Sequence, residues 1–95
     1  MKIRYLRVAR RELDAQIDYL LERNPRAADA LDRAITQALE ALEAGRLEGS
    51  EHRLRASGRR VRRWYVEPLM LYYQRRPTEL VVLRVRHHAQ RPITG

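Results

Sequence analysis

The chain has no cysteine, so disulfides and thiolate metal sites are both closed to it. That suits a reducing compartment, and a cytoplasmic location is expected. No apolar run approaches the ~18 residues of a membrane span, and the N-terminus carries no signal-peptide core, so neither membrane insertion nor export is expected. Repeats, linkers and low-complexity stretches are missing, as is any motif for a cofactor or a metal. Lysine is nearly absent: Lys2 is the only one, and every other basic residue is arginine.

What is present is charge, unevenly placed. Ninety-five residues make a single expected domain, 1–95, because chains split only at roughly 250–300 residues. A chain this short has a thin core, with stability expected in the lower part of the usual range of about 5–15 kcal/mol. Net charge is +8. Residues 1–48 hold nine Lys/Arg and nine Asp/Glu, whereas residues 49–95 hold eleven Arg and three Glu. All the excess positive charge therefore lies in the second half. Arginine favours bidentate contacts to carboxylate and phosphate, so an acidic protein, a nucleic acid or both are plausible partners.

Apolar spacing gives the element order. Ile3–Val8 mixes β-branched and aromatic residues and reads as a short strand. From Arg10 to Arg23 the period changes, with Leu13, Ile17, Leu20 and Leu21 on one helical stripe. Asn24-Pro25 breaks it: Asn24 can cap, and proline is favoured at the first position of a following helix. That helix places Ala27, Ala28, Leu31, Ala34, Ile35, Ala38, Leu39 and Leu42 on one face and stops at Gly45. A weak strand follows at His52–Ala56, a turn at Ser57-Gly58, then strands at Arg60–Val66, Leu69–Gln74 and Leu80–Arg86. The expected fold is α+β, an N-terminal strand and a two-helix antiparallel hairpin packed on a small antiparallel sheet.

Three stretches together resemble a known family. I-D-Y-L-L-E-R-N-P-R-A-A-D (Ile17–Asp29), L-M-L-Y-Y-Q (Leu69–Gln74) and the tail V-L-R-V-R-H-H-A-Q-R (Val82–Arg91) are similar to ParE-type toxins of the RelE/ParE superfamily. The resemblance covers nearly the whole chain. It implies a toxin of a type II toxin–antitoxin pair, of use in plasmid stabilization. Such a toxin poisons DNA gyrase and is held inactive by a cognate antitoxin whose C-terminal segment wraps it in a hetero-oligomer. RelE-type relatives share the fold but cleave messenger RNA on the ribosome with a basic cluster and a histidine or tyrosine near the C-terminus. An inactive relative that only binds its antitoxin is a third reading.

Strand parity organises the candidate residues. Arg60, Arg62 and Trp64 share one face, and Val61, Arg63 and Tyr65 the other. Arg84 and Arg86 share a face opposite Val81, Leu83 and Val85, whose odd positions are expected to meet the core. The expected antitoxin- or target-binding set is Arg60, Arg62, Trp64, Arg84 and Arg86. The bland alternative is a solvated sheet face with Trp64 as a packing residue. No catalytic set is expected; a ribonuclease would use His87 with Arg60, Arg62 and Arg84, but Ala89–Gly95 offers no tyrosine to complete it. His87 then simply closes the last strand. Tyr72 and Tyr73 point to opposite faces, so one at most is expected in the core, Tyr73 as a structural residue. Glu67 precedes Pro68 in a turn and has no evident partner for a general base. Asp14, Asp18, Asp29 and Asp32 are expected on a wet helical face with arginines at i±3 or i±4.

Overall fold

The structure, a computed structural model, describes residues 2–88. The expected tail residues Ala89–Gly95 lie outside them.

Strand β1 (Lys2–Tyr5) leads into α1 (Arg7–Arg23), α2 (Pro25–Glu43), β2 (Ser50–Arg53), β3 (Arg60–Val66), β4 (Leu69–Arg75) and β5 (Glu79–His87). The order is the expected one, and the fold is α+β. Helix α1 begins three residues earlier than its apolar stripe suggested. Starting at Arg7 buries Ala9 and Leu13 one turn apart, a packing gain that outweighs the strand propensity of Val8. Leu21 also departs from expectation. It is 50% exposed, because it lies about 100° round the helix from Leu20 and faces the groove toward Ala28. Asn24 joins the two helices. Its side chain accepts a 3.1 Å bond from the Ala27 backbone N–H, and Pro25 takes the first helical position. At the other end of α2, Gly45 adopts φ +78°, a left-handed stop that glycine takes without strain.

The sheet runs β1-β5-β4-β3-β2. Strands β2 to β5 pair antiparallel as expected, but β1 joins β5 in parallel, so the sheet is mixed. β1 and β5 are the first and last strands in the chain, with both helices and three strands between them, so no tight hairpin imposes antiparallel pairing and β1 closes the open edge of β5 in parallel. Arg4 fixes this pairing with two 2.9 Å bonds to the Glu79 carboxylate.

Both sheet faces carry apolar side chains. Leu69, Leu71, Tyr73, Leu80, Val82 and Val85 pack against the helices, and Leu54, Val61, Tyr72, Val81 and Leu83 form a second cluster on the far face. Tyr72 and Tyr73 do point to opposite faces, yet both are buried, at 4% and 0% exposure, because each face has its own core. A β-bulge corrects the parity expected for β5. Val82 opposes Tyr73 while Arg84 opposes Tyr72, so Leu83 is an extra residue. Val81 and Leu83 consequently face away from the helices and Val85 toward them. No helix among the described residues is long and apolar enough to cross a membrane.

Candidate functional site

The candidate arginines do not share a surface. Arg62 opposes Tyr73 and Trp64 opposes Leu71, which places Arg60, Arg62 and Trp64 on the helix-facing side of the sheet. Trp64 is half-buried against the main core. Arg84 and Arg86 oppose Tyr72 and Met70 on the other side.

Arg84 and Arg86 are engaged within the protein. β1 pairs no further along β5 than Val82, so the edge of β5 beyond it lies open. Glu12, from α1, covers that edge. Its carboxylate accepts from Arg84 Nε at 3.0 Å, Arg84 Nη2 at 2.8 Å, the Val85 backbone N–H at 2.9 Å and Arg86 Nη1 at 3.4 Å. Glu12 stands in for the missing strand at the Val85 N–H while pairing both guanidinium groups. Burial pushes the Glu12 carboxyl upward, but the bonds from Arg84 and Val85, then the Arg84 charge and the Arg86 bond, outweigh it. The group is held below the ordinary carboxylate value. Its partners lie 72 to 74 residues away, so no local sequence pattern could have revealed it.

Arg60 and Arg62 lie two strands from Arg84, on the helix-facing side and toward the β2–β3 turn. With Glu51, Gln74, Arg75 and Arg76 they line an open concavity of about 510 Å³ floored by Tyr73. Arg60 is loosely paired with Glu51 at 3.6 Å. Arg62 donates to the Gly49 carbonyl at 2.8 Å and reaches Glu48 at 3.6 Å. Arg75 donates to the carbonyls of Leu42 and Glu43, covering the last turn of α2 where the helix dipole favours a cation. Beneath them, the buried Tyr73 hydroxyl accepts a 2.7 Å bond from the Gly49 N–H. A Cβ on Gly49 would lie 2.3 Å from the Arg63 carbonyl oxygen, so only glycine fits that approach. Tyr73 is structural, as expected.

His87 opposes Leu69 at the far end of β5, half-buried beside Ala15, Tyr19, Leu20 and Pro68, and it stacks on His88 with ring centroids 4.6 Å apart. His87 opposes Leu69, which opposes Val66, and is therefore roughly 13 Å along the strands from Arg62, at about 3.3 Å per residue. Arg60, Arg62, Arg84 and His87 occupy two sheet faces and two sheet ends, and no single substrate bond could meet them all. Glu67 accepts from the Tyr65 hydroxyl, a partner that the sequence did not suggest. On the helices, Arg10 pairs with Asp14 at 3.4 Å and Arg33 with Asp29, both at i,i+4 as expected. No group of three or more His, Asp or Glu gathers among the described residues to hold a metal ion.

The family model described as ParE toxin of type II toxin-antitoxin system, parDE, matches residues 3–92. A solved structure described as the chromosomal ParDE TA system from P. aeruginosa is similar in fold, with a TM-score of 0.67 and 23% identity. That match covers 92% of this chain and 95% of the other. No curated protein matches.

Proposed function

Because the chain belongs to the ParE toxin family of type II toxin–antitoxin systems, we propose that it acts in the cytoplasm as a non-enzymatic poison of DNA gyrase, neutralised by a cognate antitoxin. The observation that carries the non-enzymatic reading is the dispersal of Arg60, Arg62, Arg84 and His87 over both faces and both ends of the sheet. General acid–base cleavage of RNA requires the acid, the base and the phosphate clamp within hydrogen-bond reach of one phosphodiester.

An acidic segment of the antitoxin fits the concavity of Arg60 and Arg62, with Trp64 outside its lining but next along the same face of β3. There, the ion pairs of exposed Arg60 with Glu51 and of half-buried Arg62 with Glu48 are loose, at 3.6 Å each, and an incoming carboxylate can replace them while Arg62 keeps its bond to the Gly49 carbonyl. Apolar residues of the same segment would use Leu21 and Tyr65, 50% and 44% exposed. Arg84 and Arg86 are reassigned from partner contact to support of β5, since Glu12 holds both.

Induction in cells without the antitoxin tests the reading. The expected outcome is filamentation with DNA damage while translation continues, and purified protein added to translating ribosomes leaves messenger RNA uncut. Site-specific cleavage lost in His87→Ala would place the chain with RelE-type ribonucleases instead. Unimpaired growth during strong induction of folded protein would leave only the inactive-relative reading.

A further inference from the structure

The antiparallel register brings two hairpin turns to the same end of the sheet. Arg53 opposes Arg60 across the β2–β3 turn, and the Gln74 side chain bonds the Arg60 carbonyl at 3.2 Å, so the β2–β3 turn lies beside the end of β4. The β4–β5 turn follows directly, and Lys2 of β1 opposes Glu79 at the same end. Arg53, Arg55, Arg59, Arg76 and Lys2 are all exposed there. Arg55 and Arg59 have no side-chain ion pair among the described residues. Arg53 reaches only the Gly58 carbonyl at 3.3 Å, and Arg76 reaches Glu79 at 3.6 Å. The carbonyl end of α2, the one helix terminus at this pole, is already covered by Arg75.

We propose that this pole binds the phosphate backbone of a nucleic-acid duplex, a contact that adjoins the antitoxin concavity, with Arg76 common to both, and that is independent of the gyrase reading. Width is the first argument. The basic groups span a five-stranded sheet, four spacings of about 4.8 Å or roughly 19 Å, enough to cross a major groove about 12 Å wide and meet both backbones. The second argument is that no large apolar side chain is exposed at the pole among the described residues. The exposed large hydrophobic side chains are Val8, Tyr19, Leu21 and Tyr65, on α1 and next to the β3–β4 turn at the other end. A protein partner draws its affinity from buried apolar and aromatic residues, whereas backbone phosphates require only charge and hydrogen-bond donors. The same absence disfavours single strands, which need exposed aromatic rings for base stacking.

The test is fluorescence anisotropy of the purified chain with a labelled 20-base-pair DNA duplex, an RNA duplex of the same sequence and a polyglutamate peptide, between 50 and 200 mM KCl. Micromolar or tighter duplex binding is expected at the lowest salt. With about four phosphates neutralised, the log–log salt slope is about −3 to −4, or roughly 100-fold weakening over that range. Arg55→Glu with Arg59→Glu should weaken duplex binding at least tenfold and flatten the slope by about 2, and Arg55→Gln with Arg59→Gln serves if the reversal disturbs folding. Comparable affinity for both duplexes supports backbone recognition, and a preference for one identifies the source of the phosphates. Three results would each overturn the proposal: no duplex binding at 50 mM KCl, polyglutamate binding without duplex binding, or an equal loss from Arg11→Glu with Arg26→Glu on the helices. The last would mean that net charge alone, not this pole, attracts the duplex.

Discussion

Replacing Glu12 with glutamine should lower stability by about 2–3 kcal/mol. The carboxylate receives four donors between 2.8 and 3.4 Å, and three of them belong to guanidinium groups. Breaking a fully buried pair by removing one partner costs about 3–5 kcal/mol, because the remaining charge stays desolvated. Here the side chains of Glu12, Arg84 and Arg86 retain 19%, 32% and 22% exposure, so water recovers part of that loss. For a chain of this length, unfolding entropy of about 0.2 kcal/mol/K converts the loss to a Tm decrease of roughly 10–15 °C. The pH dependence separates the carboxylate from simple packing. The Glu12 pKa is depressed in the folded protein, so its contribution is complete above the unfolded value of about 4.3 and is lost as pH falls through the folded value. Thermal melts of both proteins from pH 7 down to pH 2.5 should therefore show the full gap at neutrality and a narrowing gap in acid. A gap under about 0.5 kcal/mol at pH 7, or one that persists unchanged at pH 2.5, would refute the assignment of Glu12 as the strut of β5.

Three smaller changes test other parts of the structure. Asn24→Ala should cost about 0.5–2 kcal/mol through the lost cap on α2, with toxicity falling only as far as urea-measured stability falls. Gly49→Ala should cost about 1–3 kcal/mol or prevent folding, because the new methyl meets the Arg63 carbonyl and the Tyr73 hydroxyl; a silent substitution in a denaturant melt would disprove that approach. His87→Ala should leave growth inhibition intact once expression is matched, whereas a loss on the order of 10²-fold or more with an unchanged melt would mark a catalytic histidine.

Local signals carried far into this fold. The Asn24-Pro25 junction, the buried face of α2, Gly45 and the bounds of β3 rest on short-range chemistry, and each is found where the residues indicate. What escaped notice depends on partners far along the chain. The parallel direction of β1 is set by the distant strand β5 whose edge it closes, not by Ile3 or Tyr5, and Val8 enters α1 because of what Ala9 and Leu13 meet. A single extra residue, Leu83, reversed the facing of the strand beyond it, so the clean alternation from Leu80 to Arg86 misled. The candidate site was half legible. Arginines announce themselves in composition, but which of them are already engaged depends on Glu12, a residue ordinary in its helix. Arg84 and Arg86 looked like Arg60 and Arg62 until their surroundings were known.

The parallel seam between the first strand and the last also bears on how the protein is made. Arg4 and Glu79, which tie that seam, are 75 residues apart, and α1 rests on the same final strand. A ribosome working at about 5–20 residues per second needs several seconds to reach β5. Until then the emerging helices have no sheet to lie on and the first strand has no neighbour. Contacts of such long range are formed late and together. Translation interrupted before residue 79 would accordingly yield a chain unable to fold, so activity would arrive all at once, only after β5 has been made.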